Sequence, residues 1–292
     1  MIGYFKRKRD ISAFHAFAAH MWSQPDHPII LGAVKVDMSN ALEYIKKYSE
    51  RHGVKVTITH LVIAASARYL KMHPEVNLKC HARRFYQRKS IDIFNLVDIK
   101  GGRDLSGVIL RNCDQMSLSE IAVTTRKRAT EVKSGAKDMY GDGMNMFKGY
   151  PTWFTRVLLK LADFYINTLN GDLTRFGIPR DPFGSLIVSS VGMFGIEEAY
   201  APLPTFARAP IFLVAPKVVD TPWVVDNKMQ IRPVMKIGAT IDHRVIDGYK
   251  GAQLAACLRQ FLTNPEEAFG LSEKIPVGHG IDSSIKKYDL TT

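Results

Sequence analysis

Hydrophobic residues alternate with polar residues along some segments of the chain and recur at helical spacing along others. The alternating or continuously apolar segments predict strands, over residues 29–37, 106–110, 186–191, 211–218 and 230–241, with a mostly extended stretch at 85–97. The helical spacing predicts helices, over residues 13–23, 40–51, 60–73, 117–133, 151–169 and 251–262. Strands and helices are mixed without a repeat or a linker-like segment, so the pattern predicts one α+β domain.

Several residues predict where these helices begin and end. Gly53 suits the C-terminal end of the second helix, and Thr59 is a candidate N-cap for the third. The spacing of Ser117 and Glu120 predicts a capping box at the start of the fourth. Pro265 is expected to stop the last helix, because proline cannot continue a helical ladder.

The stretch 135–183 differs from the rest of the chain. Its first part is rich in Gly, Met and Asn and predicts a loop, and residues 151–169 predict an amphipathic helix. The apolar face consists of Phe154, Val157, Leu158, Leu161, Phe164 and Tyr165, with Arg156, Lys160, Asp163 and Asn167 opposite. Such a helix most commonly packs on the core of its own domain. A lid over an acyl pocket, a partner-binding helix and a membrane-surface helix are the alternatives.

Composition limits the class of protein. The 292 residues are 46% hydrophobic and 23% charged, which is typical of a globular chain that needs no disulfide or structural metal. The three cysteines, Cys80, Cys113 and Cys257, have no metal-ligand spacing and favour a reducing compartment, so we expect a cytoplasmic protein without a metal site. No apolar run is long enough for a transmembrane segment.

The net charge of +12 favours polyanionic partners, although a solvated basic face is the ordinary interpretation of such charge. Nucleic-acid binding is not expected, because the sequence has no zinc finger, aromatic RNA-binding strand or basic-region heptad. A membrane-binding module would depend on the charge and one helix alone. Coenzyme A, which carries a pyrophosphate and a 3′-phosphate, is a partner that would suit a basic surface.

The segment Asp242–Gly248 carries the best candidate chemistry. A strand delivers His243 to its end, and a turn with Asp247 and Gly248 leads into a helix. A histidine at such a corner suits a general base, because an ordinary imidazole has a pKa near about 6.5. Asp247 could meet a cation or cap the helix. The residues alone favour a structural histidine over a catalytic one, since no paired nucleophile lies nearby in the sequence.

Motifs along residues 30–266 resemble those of a known family in the same order. His243–Gly248 resembles the His-x-x-x-Asp-Gly signature of the chloramphenicol acetyltransferase superfamily, and DHRVIDG resembles the catalytic core of the 2-oxo-acid dehydrogenase dihydrolipoamide acyltransferases. HPEVN at 73–77, GVILRNCDQMSLSEIA at 107–122, VSSVGMFG at 188–195 and TNPE at 263–266 resemble further segments of that family. The resemblance implies a chloramphenicol acetyltransferase-like mixed sheet flanked by helices. It implies a core at about 12–270, a helical insertion at about 140–182 and a tail at 271–292.

The resemblance also implies a function. We expect an acyltransferase that moves an acyl group between coenzyme A and a thiol or small acceptor. His243 would be the general base, Ser189 or the neighbouring Ser190 would stabilise the oxyanion, and Asp247 would orient the site through charge pairing. Coenzyme A would be a substrate, its binding residues remain unassigned, and no cofactor is expected to be covalently attached. The family's active site lies between subunits, so the resemblance implies a homotrimer or a larger cage.

Two departures from the family pattern leave an alternative open. The sequence shows no counterpart of the lipoyl and subunit-binding domains, so a stand-alone enzyme is expected, with 2-oxo-acid dehydrogenase-type subunits as possible partners. The first helix also lacks the family's arginines, although Arg7 and Arg9 lie just upstream, which leaves the charge partner of Asp247 unassigned. The alternative function is a catalytically silent trimeric or cage-forming scaffold. A scaffold has no need of His243 and Asp247, so their presence favours the enzyme.

Overall fold

The structure is a computed structural model that describes residues 28–81, 84–99, 104–133, 152–167, 171, 181–204 and 207–271. The helix predicted at 13–23 and nearly all of the tail predicted at 271–292 lie outside the described residues. Within the described ranges, the predicted α+β class is confirmed, because a mixed sheet packs against several helices.

Seven strands form the main sheet in the order β1-β9-β7-β6-β4-β5, with β8 paired to β9 beyond this path. The neighbours β4-β6-β7 run parallel, and the other pairs are antiparallel. β2 and β3 form a separate hairpin. The strands are β1 (Ile29–Asp37), β2 (Leu78–His81), β3 (Arg84–Gln87), β4 (Ile93–Ile99), β5 (Asp104–Leu110), β6 (Leu186–Ser190), β7 (Ile211–Ala215), β8 (Val219–Val225) and β9 (Lys228–Asp242).

One predicted strand proved to be too long, and two strands, β2 and β8, were not predicted. β7 ends at Ala215 rather than at residue 218, and β8 follows as a strand of its own. The predicted turn between β8 and β9 is confirmed, with Asp226 and Asn227 both at positive φ (49° and 60°). This left-handed pair matches the twist of a two-residue hairpin, for which Asp and Asn are favoured. Alternation alone did not reveal β8, because Pro222 interrupts the pattern.

Six helices are described: α1 (Ser39–His52), α2 (Ile58–Met72), α3 (Leu118–Lys133), α4 (Thr152–Asn167), α5 (Gly248–Thr263) and α6 (Pro265–Phe269). Gly53 lies at φ 63° after α1, so the predicted C-terminal glycine is confirmed. Thr59 was the wrong cap. The N-cap of α2 is Thr57, two residues before the predicted one. Its N–H donates to Nδ1 of His60 (3.2 Å), which fixes the start of the helix.

The start of α3 and the end of α5 also test predictions made from single residues. The Ser117 N–H donates to Oε2 of Glu120 (2.7 Å) and the Glu120 N–H donates to Oγ of Ser117 (3.2 Å), so the predicted capping box is confirmed. Pro265 does end α5, but it also opens α6. Proline is tolerated in the first helical turn because the N–H that it lacks would have no partner there.

The sheet has one face covered by helices and one covered by a loop. The main core joins apolar residues of α1, α2, α3 and α5 to the sheet positions that include Val188, Leu213 and Ile237. The opposite face carries a smaller cluster around Phe94, Ile187, Phe212 and Val214, covered by residues 199–204 and 207–209. Successive side chains of a strand point to opposite faces, so neighbouring residues of β6 belong to different clusters.

Two ion pairs hold the segment that leads into β6. Nε of Arg88 lies 2.6 Å from Oδ2 of Asp181, and Nη1 of Arg111 lies 2.6 Å from Oδ2 of Asp92. Arg111 also donates to the Asp181 backbone carbonyl (3.3 Å), which links the two pairs. The Arg88 side chain is buried, and such a pair is costly to break, because removal of one partner leaves an uncompensated buried charge.

The predicted amphipathic helix is confirmed as α4, but its expected packing on the domain core is wrong. All six apolar side chains of the predicted face are exposed, by between 38% and 59%. The amphipathic pattern could not distinguish a face that packs on the core from a face that meets something else. No helix in the described ranges is both long and apolar enough to cross a membrane.

Candidate active site

His243 lies immediately after β9, in a turn that the backbone holds in place. The His243 N–H donates to the carbonyl of Pro28 (2.7 Å), which ties the turn to the start of β1. The imidazole is exposed, and its Nδ1 lies 3.1 Å from the carbonyl oxygen of Ile246. A carbonyl can only accept, so Nδ1 carries the proton in the neutral ring. Nε2 is therefore left as a proton acceptor.

Asp247 is the N-cap of α5. Its Oδ1 accepts the Lys250 N–H (2.9 Å), and its backbone is extended, as an N-cap requires. The side chain is otherwise exposed. Of the two roles left open for Asp247, helix capping is the one that the structure displays. Arg7 and Arg9, just upstream of the first predicted helix, lie outside the described residues, so the charge partner of Asp247 stays unassigned.

Arg244 turns back onto its own strand instead of towards the site. Its Nε and Nη2 donate to the carboxylate of Asp242, the shortest distance being 2.6 Å, and its backbone N–H donates to the same group (3.0 Å). A two-pronged pair of this kind fixes side-chain geometry better than a single contact does. Arg244 thus stiffens the turn that carries His243.

Ser189 and Ser190 point to opposite faces of the sheet. Ser189 shares its face with Ile187 of the smaller cluster, and Ser190 shares its face with Val188 of the main core. Both serines are half-buried at the carboxyl end of β6. The structure thus separates two candidates that the sequence left adjacent, because only one of them can face a given ligand.

Within one chain, the structure does not bring Ser189 and His243 together. Ser189 pairs with Val214 of β7, which pairs with Gly238 of β9. His243 lies five residues beyond Gly238, or about 17 Å at roughly 3.4 Å per residue, and two strands to the side. The two side chains are at opposite ends of the parallel strands. A single chain therefore does not present both side chains to one substrate.

Gly238 is a positioning residue that the sequence reasoning missed. A Cβ built at Gly238 would lie 2.2 Å from the carbonyl oxygen of Ala199, so only glycine allows the loop after β6 to cross the strand there. Nζ of Lys236 also pairs with Oε2 of Glu198 (2.5 Å), which holds the same loop. The available signal was a glycine in the interior of a strand, which often marks a close backbone approach.

The cysteines offer no alternative chemistry. All three are free and buried. Burial raises the pKa of the Cys257 thiol to about 11 and raises that of Cys113 as well, so neither is a thiolate near neutral pH. Among the described residues, no group of three His, Cys, Asp or Glu side chains is placed to hold a metal ion.

Comparison with solved structures defines the class. The cubic core of the pyruvate dehydrogenase multienzyme complex matches 83% of this chain and 84% of its own at 22% identity, with a TM-score of 0.61. A structure of Azotobacter vinelandii dihydrolipoamide acetyltransferase, concerned with a serine, a histidine and an asparagine in its catalytic mechanism, gives the same TM-score and coverage at 21% identity. At these identities the likeness establishes the fold, that of an acyltransferase core.

The chain belongs to the 2-oxoacid dehydrogenases acyltransferase (catalytic domain) family, whose model matches residues 13–142 and 183–270. The predicted family and fold are thereby confirmed, and the family is one of acyltransferase catalytic domains. The match is interrupted between 142 and 183, where α4 lies. The division of the chain into core, insertion and tail stays a prediction.

A curated relative agrees with this family. The dihydrolipoyllysine-residue succinyltransferase component of the 2-oxoglutarate dehydrogenase complex of Rickettsia conorii is 24% identical over 252 residues, which are 84% of this chain and 52% of the relative. The chain thus spans about half the length of the curated relatives that it matches.

Proposed function

We propose that the chain transfers an acyl group between coenzyme A and a second thiol or small acceptor, with His243 as general base. The observation that carries this proposal is the imidazole geometry. Nδ1 is held by the Ile246 carbonyl, and Nε2 is left unprotonated on an exposed ring. A base must have a free lone pair, a fixed orientation and access to its substrate, and His243 has all three.

In the proposed reaction, His243 and Ser189 act on a thiol and an acyl thioester. Nε2 of His243 takes the proton of the attacking thiol, and the thiolate adds to the carbonyl carbon of the acyl thioester. The tetrahedral oxyanion accepts a hydrogen bond from the hydroxyl of Ser189. Collapse of the intermediate breaks the original C–S bond, and the leaving thiolate recovers the proton from His243. One oxyanion donor contributes about 3–4 kcal/mol in comparable sites.

Ser189 is preferred to Ser190 for this role. Ser190 shares its face with the helix-covered core, where an acyl substrate would have to displace buried apolar side chains. Ser189 opens onto the loop-covered face, where the smaller cluster ends. Asp247 would keep the turn of His243 in register with α5 through its cap, and its exposed carboxylate would provide the charge that orients the site.

We infer that the complete site lies between two copies in a homotrimer. The separation of Ser189 from His243 requires a second copy, and the β8–β9 hairpin offers a surface for one. β1 ends opposite Val234, so the hairpin projects beyond the sheet at the end where Ser189 lies. The paired residues Val224–Met229 and Pro222–Ile231 share one face of the hairpin. Val224, Met229 and Ile231 are 66–78% exposed, and such a patch marks an interaction surface.

The substrates and partners follow from the relatives only as proposals. We propose acyl-CoA as one substrate, with no covalently attached cofactor, and a dihydrolipoyl-type dithiol as the acceptor most consistent with the curated relatives. Other subunits of a 2-oxo-acid dehydrogenase-type complex would be partners, in an assembly that could extend to a cage like the cubic core. We place the protein in the cytoplasm, where its three thiols would stay reduced.

Turnover assays test the catalytic roles. Purified protein is incubated with acyl-CoAs of increasing chain length and dihydrolipoamide, and free coenzyme A is measured. We expect His243→Ala to lower kcat/KM by about 10²–10⁴-fold and Ser189→Ala by about 10²–10³-fold, at unchanged oligomeric mass. Ser190→Ala is the matched control and should retain near wild-type activity. Turnover that survives His243→Ala unchanged would rule out the role of that histidine.

Subunit mixing tests the shared site. His243→Ala and Ser189→Ala chains are inactive alone, but co-refolded mixtures place an intact histidine opposite an intact serine. Random 1:1 assortment restores about a quarter of the interfaces, so about a quarter of wild-type activity is expected. Activity that stays at the level of the single variants would contradict an intersubunit site. If the wild-type assembly forms normally and turns over none of the acyl-CoAs, the scaffold replaces the enzyme.

A further inference from the structure

Helix α4 presents an apolar surface that the fold leaves in contact with solvent. Val157, Leu158, Leu161, Phe164 and Tyr165 recur at helical spacing and are all exposed. Single exposed apolar residues are ordinary, but five on one helix face are not. A face of this kind is favourable only when something apolar covers it, so α4 needs an occupant.

The shared core of the family does not account for that occupant. The family model matches the chain on both sides of α4 but not over residues 143–182. The fold that the family shares therefore belongs to the segments on either side, and α4 is an addition to it. The occupant is best sought in the chemistry of the added segment itself.

The charge of this segment selects an anionic partner. The added segment, residues 143–182, contains five basic and three acidic residues, a net charge of +2, within a chain whose net charge is +12. Lys160 is exposed. The sequence also places Trp153 near the start of α4 and Tyr165 near its end. Basic residues with aromatic residues beside an apolar face are the composition of helices that lie in a membrane interface.

We propose that α4 binds an anionic lipid surface, lying parallel to it with its apolar face among the acyl chains and its basic residues at the headgroups. The 16 residues of α4 span about 24 Å, which suits a helix lying along the surface. Apolar burial would provide the binding and the charge would provide the preference for anionic lipid. The proposal is independent of the acyl-transfer reaction.

Vesicle co-sedimentation of the full chain tests the proposal. We expect the protein to pellet with vesicles of phosphatidylcholine and 30% phosphatidylglycerol, about tenfold less with phosphatidylcholine alone, and less as salt rises. Leu161→Asp should reduce the bound fraction at least about tenfold, because it places a charge in the apolar face. Val123→Asp is the matched control, since Val123 is a similarly exposed apolar residue on α3, and it should bind like wild type.

A second measurement covers the case in which Leu161→Asp fails to fold, as judged by circular dichroism. Tryptophan emission of the wild-type chain should shift to the blue on addition of the anionic vesicles, and Trp153→Phe should abolish that shift. Equal binding to neutral and anionic vesicles, or binding that Leu161→Asp leaves unchanged, would overturn the proposal. So would a lower oligomeric mass of Leu161→Asp together with no vesicle binding by wild type, because α4 would then join copies of the chain.

Discussion

The two ends of β9 differ in what they present to the surroundings. At the end that leads into α5, the turn around His243 is polar and held by hydrogen bonds. The His243 N–H is bonded to Pro28, Nδ1 of His243 to Ile246, and the Arg244 guanidinium to Asp242. At the other end, the hairpin exposes Val224, Met229 and Ile231 with nothing over them in the single chain. The His243 end is held in place within a single chain and suits chemistry. The other is incomplete and suits association.

A substitution in the exposed hairpin should break the assembly and the activity together. Ile231→Asp places a charge in the hairpin face, so we expect the assembly to dissociate and the activity to fall by at least about tenfold, although the sheet itself is intact. Light scattering reports the mass, and release of coenzyme A reports the activity. Val123→Asp again serves as control. Full activity in a monomeric Ile231→Asp protein would show that the His243 end needs no second copy.

The free energy of unfolding should depend on pH through the buried imidazole of His60. Burial and the nearby Arg126 lower the pKa of His60 to about 4. The folded state disfavours the protonated ring, so the stability is complete above pH 6.5 and declines as the pH falls towards 4, by up to about 3 kcal/mol.

Urea unfolding between pH 4 and pH 7 checks this dependence on His60. Glutamine at this position could still accept the Thr57 N–H but cannot titrate. His60→Gln should therefore flatten the profile of unfolding free energy against pH. A slope that persists in His60→Gln would assign the effect to other groups.

Gly238 connects the two ends, since it lets the loop after Ser189 cross β9. Gly238→Ala would force a methyl group against the Ala199 carbonyl, so we expect a loss of about 1–3 kcal/mol in the free energy of unfolding. Gly32→Ala, where no atom lies within 4 Å of the added Cβ, should be neutral or slightly stabilising. Thermal unfolding of both variants compares them directly, and equal melting temperatures would refute the close approach.

The smallest expected effect separates the cap of Asp247 from its charge. Asp247→Ala removes the acceptor of the Lys250 N–H and should cost about 1 kcal/mol, whereas Asp247→Asn keeps an equally good N-cap and should cost only a few tenths. Stability is measured by urea unfolding and kcat by coenzyme A release. A lower kcat in Asp247→Asn at wild-type stability would support the charge role. Wild-type kcat in that variant would leave Asp247 as a cap alone.

Local patterns predicted much of the fold because local forces determine those parts. The capping box at Ser117, the glycine after α1 and the Asp226-Asn227 turn each follow from backbone groups that need partners or a positive φ. Their residue types are favoured wherever those needs arise, so a sequence displays them directly.

Other features depend on contacts between distant segments, and the sequence could not display them. The Arg88–Asp181 pair joins residues 93 positions apart, and the exposed face of α4 looks like any core-packing face. Family motifs located His243 and Ser189, but their separation followed only from the register of β6, β7 and β9. Periodicity describes one element at a time and contains no register between elements.

The register that separates Ser189 from His243 has a consequence for heredity as well as for chemistry. When each site takes one residue from each of two chains, a defective chain also disables the intact neighbour that it joins. A cell that makes equal amounts of wild-type and His243→Ala protein would lose half of its sites, because the defect follows the histidine alone. If the defective chain lacked both residues, only a quarter of the sites would keep an intact histidine and an intact serine. Two substitutions in one chain would therefore disable more of the wild-type chains than either substitution alone.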